Sequence, residues 1–325
     1  MNLSDKFSEQ IQSDIDQIEF FLKENLKSQV PVISEVNQHI LLGGGKRLRA
    51  LLFVLCSKVC GYSGKKAHYF SCIFEYLHGA SLLHDDVIDN AELRRGKPSA
   101  NTLWGNSLSI LIGDFLLAKS FSMALETDHP DFLKTISRTA GLMSEGMVME
   151  LVQTRNLDIE EETYRSILTN KTAVLISAAC QTGAILGNAP PKEQEALARY
   201  GLELGIAFQL IDDLLDYTST SEQFGKPVAN DFKEGKITLP LIYALKRCPE
   251  PDRQKIKALS GKETLSPEDF QFLFNVIHRQ GGLAYTRQEA QKSKDKAKGY
   301  LDVFKPSPLR QLLIDLTEFV VERKK

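Results

Sequence analysis

Two acidic pentads, each with aspartates at positions 1, 2 and 5, are the residues of this chain best suited to a catalytic site. The first, DDVID, covers residues 85–89, and the second, DDLLD, covers residues 212–216. On a helix, residues four apart project from one face, so the first and last acid of each pentad lie side by side. Carboxylates crowded in apolar sequence repel each other and lose hydration, and a cation offsets both costs. Mg²⁺ fits best, because it binds through one or two carboxylates and completes its octahedron with water and phosphate oxygens. The pentads therefore predict bound Mg²⁺ and a phosphorylated substrate.

Basic residues lie near the first pentad in two places. Arg94 and Arg95 follow it within about two helical turns, and a planar guanidinium fork suits phosphate. Upstream, the glycine turn 43–45 precedes Lys46, Arg47 and Arg49. A helix starting there would add backbone N–H groups and its dipole to anion binding. A solvated basic helix start remains the alternative.

A glycine-rich segment follows the second pentad. Lys226 and Lys236 flank it, and such a loop could fold over a substrate and present both ammonium groups to its phosphates. The alternative is a solvent-facing loop in which both lysines are incidental.

Composition excludes some classes of function. The chain has 325 residues, 42% of them hydrophobic, with a net charge of −2 and a pI of about 6.3. This balance predicts no nucleic-acid partner. Five cysteines without CxxC spacing favour reduced thiols, and we expect a cytoplasmic protein with no signal peptide and no transmembrane segment.

Apolar residues recur at helical spacing along almost the whole chain, whereas strand-like alternation is hard to find. Ser266-Pro267 and Ser307-Pro308 predict helix starts. Breaks are expected at 43–45, 96–98, 188–191, 225–227 and 281–282, and none is long enough to be a linker. We therefore predict an all-α fold of about a dozen helices in a single domain over residues 1–325. A small C-terminal helical subdomain after about Arg247 is the alternative.

Taken together, these motifs resemble those of the trans-polyprenyl diphosphate synthases. The resemblance rests on ordered segments of this chain, which are GGKRLR at 44–49, His78, LLHDDVID at 82–89, RRG at 94–96, Lys171-Thr172, FQLIDD at 208–213, and the segment from GKP at 225–227 to Pro240. It implies an isoprenoid synthase-type helical bundle around a central cavity, with the pentads facing each other across it. It also implies a homodimer.

The resemblance assigns roles to individual residues. Asp85, Asp89 and Asp212 would be the main Mg²⁺ ligands, supported by Asp86, Asp213 and Asp216, and Lys171 would join these aspartates in the catalytic site. The allylic diphosphate would be bound by Arg94, Lys171, Thr172, Gln209, Lys226 and Lys236. Isopentenyl diphosphate would be bound by Lys46, Arg49, His78 and Arg95. The basic end, Arg323 to Lys325, is similar to a tail that closes over substrate in some relatives, although simple solvent exposure is an equal alternative.

Product length is predicted from the residues just before the first pentad. Ser81 lies one helical turn from Asp85, and Ala80 is its neighbour. Both are small, whereas short-chain relatives tend to carry an aromatic residue there. We therefore expect a C30 to C50 product, with C40, the octaprenyl chain, as the best single estimate. Phe74, Leu77, Met143 and Met147 are candidates for a deeper wall, although ordinary core packing is the better interpretation of these side chains.

Three other functions stay open at this point. A shorter-chain synthase that makes farnesyl or geranylgeranyl diphosphate would carry the same motifs. A terpene cyclase ionises the same class of substrate, but it usually lacks the second symmetrical pentad and needs no isopentenyl diphosphate site. A regulatory subunit of a heteromeric synthase would not need two intact pentads.

Overall fold

A computed structural model describes residues 9–218, 229–262 and 264–322 of the chain. This part of the chain is almost entirely helical, which confirms the all-α prediction. Its α-helices are α1 (Glu9–Asn25), α2 (Pro31–Leu42), α3 (Leu48–Val59), α4 (Lys66–Ile88), α5 (Ala100–Trp104), α6 (Asn106–Leu125), α7 (Pro130–Val152), α8 (Glu161–Leu168), α9 (Val174–Leu186), α10 (Pro191–Thr218), α11 (Asn230–Lys233), α12 (Leu239–Leu245), α13 (Glu250–Ser260), α14 (Pro267–Arg279), α15 (Gly282–Tyr300) and α16 (Pro308–Glu322).

Three short elements interrupt the α-helices. Strands β1 (Leu93–Arg94) and β2 (Lys97–Pro98) form an antiparallel ribbon in which Leu93 pairs with Pro98 and Arg94 with Lys97. A π-helical turn, Thr169–Ala173, connects α8 to α9, and a 3₁₀ turn, Leu301–Val303, follows α15. The ribbon and the π-turn both carry residues of the predicted substrate sites.

The chain divides into two compact units, and each contains one pentad. Unit 1 comprises residues 1–140, 175–198 and 303–313, and unit 2 comprises residues 141–174, 199–302 and 314–325. The single domain predicted for residues 1–325 stays a prediction.

In unit 1, α4 packs against α1, α2, α3 and α6. Its core includes a group of phenylalanine rings, in which Phe53 lies 5.2 Å from Phe74 and 5.9 Å from Phe132 between ring centroids. These rings are fully buried, so they fix the depth at which α4 lies against α3. The C-terminal turn of α4, which carries the first pentad, is thereby held by the core.

Helix α6 has an unusual composition. Among the described residues, it is the one helix that is long and apolar enough to cross a membrane by length and composition, and core helices of soluble proteins also meet that criterion. In unit 1 it packs along α4 and against α2. The predicted absence of a transmembrane segment stays a prediction.

In unit 2, α12 packs against α8, α14 and α15. Apolar side chains of these helices meet Leu210 and Tyr217 of α10 in one buried cluster. This cluster fixes the C-terminal half of α10, which carries the second pentad.

The strongest helix-start signals of the sequence are confirmed. Ser266 accepts a hydrogen bond from the Asp269 backbone N–H and Asp269 accepts one from the Ser266 backbone N–H, so α14 begins with a complete capping box. Helix α16 begins at Pro308, and the Ser307 hydroxyl accepts from the Arg310 N–H at 3.2 Å. The predicted breaks at 43–45, 96–98, 188–191 and 281–282 fall between or at the ends of helices, whereas 225–227 lies outside the described residues.

Replacement of Gly183 is expected to destabilise unit 1. A Cβ at this position of α9 would lie 2.6 Å from the carbonyl oxygen of Phe53, so the two helices would have to separate. We expect Gly183→Ala to lower the free energy of unfolding by about 1–3 kcal/mol in urea titrations, the usual cost of overpacking.

The matched control is Gly141→Ala on α7, where a Cβ would meet no atom within 4 Å. This substitution removes the helix penalty of glycine and should raise the free energy of unfolding by about 0.5–1 kcal/mol. Equal stabilities of the two variants would contradict the close approach of α9 to α3.

Candidate active site

The first pentad lies at the C-terminal end of α4. Asp85 is in its last turn and Asp89 caps it, with the Asp89 N–H donating to the Asp85 carbonyl at 2.8 Å. The carbonyl end of a helix carries partial negative charge, which adds to the repulsion among these carboxylates. A cation here is therefore favoured by both the side chains and the helix.

Asp86, the middle acid of this pentad, is fully buried. The Nε of Arg94 donates to its Oδ1 at 2.6 Å, whereas its Oδ2 has no hydrogen-bond partner among the described residues. Burial raises the pKa of Asp86, and the positive charge of Arg94 opposes that shift. Asp86 therefore holds Arg94 on the β-ribbon beside the pentad.

The residues predicted for isopentenyl diphosphate gather partly around His78 of α4. Burial lowers the pKa of His78 well below its usual value, and the nearby charges of Arg49 and Arg95 lower it further. The imidazole is thus neutral at physiological pH, and it lies within a group of guanidinium groups. Lys46 is exposed on the turn before α3.

Arg95 and Arg47 have different contacts in this group. Arg95 follows the first strand with a φ of 53°, and its Nη1 donates to the Gly44 carbonyl. Arg47 is buried and pairs with Glu75 at 3.4 Å and with Glu19 at 3.7 Å. Arg47 is therefore held by carboxylates of unit 1, whereas the structure brings Arg49, His78 and Arg95 together as the sequence predicts.

The second pentad occupies the C-terminal end of α10, so it meets the same helix-dipole penalty as the first. Asp213 is buried and accepts hydrogen bonds from the Tyr164 hydroxyl and from Gln209 Nε2, the latter at 2.8 Å. Burial raises the pKa of Asp213 to about 7 despite those donors, and the charges of Asp212 and Asp216 contribute.

Asp216 has a different role in the same pentad. Its carboxylate accepts from the backbone N–H groups of Asn230 at 3.1 Å and Asp231 at 3.2 Å, at the start of α11. These contacts hold the start of α11 against the pentad. Asp216 thus supports the site by placing Asp231 next to the pentad.

Asp231 is a site residue that the sequence analysis missed. Burial raises the pKa of its carboxyl well above the usual value, and the charges of Asp216 and Asp213 raise it further. The signal that could have found it is an acid inside the segment 225–240, where only the lysines were considered. A further carboxylate beside two pentad members strengthens the case for a bound cation.

A cavity in unit 2 brings most of the predicted allylic residues together. Its walls include Lys171, Thr172, Gln209, Asp213, Asp231 and Lys236. The Thr172 hydroxyl donates to Gln209 Oε1 at 3.2 Å, and Gln209 donates in turn to Asp213, so a continuous relay joins the π-turn to the pentad. Arg94 belongs to unit 1, and Lys226 lies outside the described residues, as does the segment 323–325.

The carboxylates of this cavity fit Mg²⁺ by their chemistry. Among the described residues, no group of three or more His, Cys, Asp or Glu side chains forms a ready-made metal cluster. The donors present are carboxylate oxygens, and burial together with the neighbouring acids raises the pKa values of Asp213 and Asp231. Such a site suits a hard cation that takes further oxygens from phosphate and water.

The predicted chain-length residues lie one turn before the first pentad. Ala80 is buried, and Ser81 is half-buried with its hydroxyl donating to the His78 carbonyl at 2.8 Å. Two turns before Ser81, Phe74 is fully buried against Phe53. His84 contacts α6, where its Nε2 lies 3.3 Å from the Ile110 carbonyl oxygen.

Comparison with known proteins shows the family of this chain. A family model described as polyprenyl synthetase matches residues 30–277. Octaprenyl diphosphate synthase of Escherichia coli K12 is 38% identical over 99% of both chains, and an all-trans-nonaprenyl-diphosphate synthase of Rhodobacter capsulatus is 34% identical over 96% of both. The chain therefore belongs to the polyprenyl synthetase family and is a prenyltransferase.

Solved structures confirm the fold. A decaprenyl diphosphate synthase from Rhodobacter capsulatus superposes with a TM-score of 0.92 at 37% identity, covering 99% of both chains. A polyprenyl synthase from Caulobacter crescentus CB15, in complex with calcium and isoprenyl diphosphate, gives a TM-score of 0.91 at 35% identity and covers 97% of this chain and 96% of that one. These likenesses confirm the predicted isoprenoid synthase-type all-α fold.

Proposed function

We propose that this protein adds isopentenyl diphosphate units head-to-tail to an allylic diphosphate, with Mg²⁺, to make a long all-trans polyprenyl diphosphate. The observation that carries the proposal is the unit 2 cavity, in which Lys171 and Lys236 line the same walls as Asp213 and Asp231. Cations and acids in one cavity suit a diphosphate whose charge is shared between side chains and metal.

In this proposal the protein's own residues bind and orient two diphosphates. Lys171, Thr172, Gln209, Lys226, Lys236 and Arg94 bind the allylic diphosphate, and the lysines absorb the negative charge that grows on it as the carbon–oxygen bond breaks. Arg49, Arg95, Lys46 and His78 hold isopentenyl diphosphate so that its double bond attacks the allylic carbocation. Loss of a proton, taken up by the departing diphosphate, completes the new unit.

Two further requirements follow from the carbocation. When bound at Asp85, Asp89 and Asp212, Mg²⁺ would supply positive charge to the leaving diphosphate. Water must be excluded, because it would trap the cation. The buried positions of Asp86 and Asp213 suit that requirement, because they keep the middle acid of each pentad away from water.

We further propose a product of C30 to C50, with C40 as the best estimate. Ala80 and Ser81 have small side chains just before the first pentad. The relatives named as octaprenyl and nonaprenyl diphosphate synthases support this length, whereas a relative named geranylgeranyl diphosphate synthase, 32% identical, keeps a shorter product as the alternative.

The direct test is product analysis with the purified chain alone. Given Mg²⁺, farnesyl diphosphate and excess isopentenyl diphosphate, it should make octaprenyl diphosphate, identified by mass spectrometry after extraction. EDTA should abolish turnover, and Asp212→Asn should lower kcat by about 10²–10³-fold or more, because charge on the leaving group would lose its compensation.

Each competing function has its own outcome in this experiment. A cyclic hydrocarbon would indicate a terpene cyclase, and no turnover without a second protein would indicate a regulatory subunit. Accumulation of C15 or C20 at excess isopentenyl diphosphate would reject the long-chain proposal.

Ala80→Phe should shorten the product. The new ring would project one turn below the pentad, and one helical turn, about 5.4 Å, is close to the length of one extended isoprene unit. We expect C15 to C20 products by mass spectrometry. The same substitution at the exposed Ala258 of α13 is the control and should leave the product unchanged. An unaltered C40 product from a folded Ala80→Phe protein would show that this side chain does not line the product channel.

We also propose a homodimer in the cytoplasm. Ile110, Leu111 and Leu125 of α6 are exposed apolar side chains, 42%, 62% and 61% accessible, and a second copy covering them would explain why so apolar a helix faces outward. All five cysteines are unpaired thiols, which suits a reducing compartment.

Light scattering should therefore give twice the chain mass of 36.4 kDa. Leu111→Glu should produce monomers, because it buries a charge in the contact. Val30→Glu, at a residue that precedes α2 and is 50% exposed, should remain dimeric. A dimer that survives Leu111→Glu would place the contact elsewhere.

A further inference from the structure

Glu150 of α7 is a residue of the unit 2 cavity to which the proposed reaction assigns no role. Its Oε2 lies 2.5 Å from Lys171 Nζ, and both side chains are about four-fifths buried, with 24% and 20% of their surface accessible. Both also line the cavity wall. The ammonium group expected to meet the allylic diphosphate is thus already paired with a carboxylate of the chain.

The backbone fixes this pair in place. A Cβ at Gly146 would lie 2.5 Å from the Lys171 backbone nitrogen, so α7 and the π-turn are in direct contact there. Glu150 is one turn after Gly146 and projects from the same face of α7. On the other side of the π-turn, a Cβ at Gly205 would lie 2.7 Å from the Cα of Ala173. Close packing of α7 and α10 against the π-turn therefore fixes the backbone positions from which Glu150 and Lys171 form their ion pair.

The other lysine of the cavity has a similar partner. Lys236 Nζ lies 2.7 Å from Glu234 Oε2. Asp213 and Asp231 line the same walls. An arriving diphosphate therefore meets cations whose charge is already partly neutralised, and it must share or displace Glu150 to reach Lys171.

We propose that Glu150 is a competing counter-ion, which weakens diphosphate binding by holding Lys171 and so helps inorganic pyrophosphate to leave after each addition. This inference rests on the proposed function, in which Lys171 binds the allylic diphosphate. Tight binding of a released product would slow every cycle of an enzyme that repeats its reaction, so affinity beyond what turnover needs is of no benefit. A carboxylate beside the anion site lowers that affinity while leaving Lys171 in place.

The experiment measures binding of inorganic pyrophosphate with Mg²⁺ to the full chain by isothermal titration calorimetry. Glu150→Gln has the same shape without the charge, and we expect about three- to tenfold tighter binding, the range for a partly exposed like charge beside an anion. Pyrophosphate should inhibit this variant more strongly than the wild type. Both kcat and the KM for farnesyl diphosphate should fall. Glu150→Asp keeps the charge and should stay near the wild-type affinity.

Two controls make the result specific. Glu318 does not line the cavity, and its carboxylate oxygens lie 2.7 Å from Lys294 Nζ and 2.6 Å from Lys298 Nζ. Glu318→Gln should therefore leave pyrophosphate affinity unchanged. In a Lys171→Met background, Glu150→Gln should give little or none of the gain seen in the wild type, because the competition is for Lys171.

The outcomes separate this inference from the function on which it rests. If Lys171→Met weakens pyrophosphate binding but Glu150→Gln binds it no more tightly than wild type, the counter-ion role is wrong and the allylic site stands. Weaker binding by Glu150→Gln would also overturn it, because Glu150 would then be orienting Lys171 for the diphosphate. Wild-type binding by Lys171→Met would reject both the diphosphate role of Lys171 and this proposal.

Discussion

Desolvated carboxylates at the negative ends of two long helices are the constraint on which the rest of this structure depends. Both pentads occupy the last turns of their helices, α4 and α10, where side-chain charge and helix dipole have the same sign. In each unit, hydrogen-bond donors of that unit offset part of this electrostatic repulsion. Arg94 donates to Asp86 in unit 1, and Tyr164 with Gln209 donates to Asp213 in unit 2.

The middle acid has the same role in both pentads. The middle acid of each, Asp86 or Asp213, is buried and bonded to protein donors, whereas Asp85 and Asp212 are less buried. The middle acids therefore position the basic and hydrogen-bonding residues beside each pentad. Asp216 belongs with the positioning group, since it fixes the start of α11.

The sequence predicted the parts of this site that depend on local order and missed those that depend on tertiary contact. Helix periodicity and the Ser266 capping box located the elements. The family resemblance placed Lys171, Thr172 and Gln209 in one group, and the structure brings these residues together. Glu150 was missed because an acid near the end of an amphipathic helix usually faces solvent. Asp231 was missed because only the return of the chain to Asp216 brings it to the pentad. The close approaches of Gly146 and Gly205, which place the π-turn, leave no periodic signal in the sequence.

Tertiary packing also bears on product length. Phe74 was considered both as a deeper wall of the product channel and as ordinary core, and its ring is fully buried against Phe53. Leu77, between it and Ala80, is likewise buried. Side chains held by the core cannot move aside without creating a cavity that costs about 2–5 kcal/mol, so they make poor gates for a growing chain. Ala80 belongs to the same buried core, whereas Ser81 is half-buried. Of the two positions proposed to set product length, Ser81 is therefore the one whose side chain can be enlarged with less disruption of the core of unit 1.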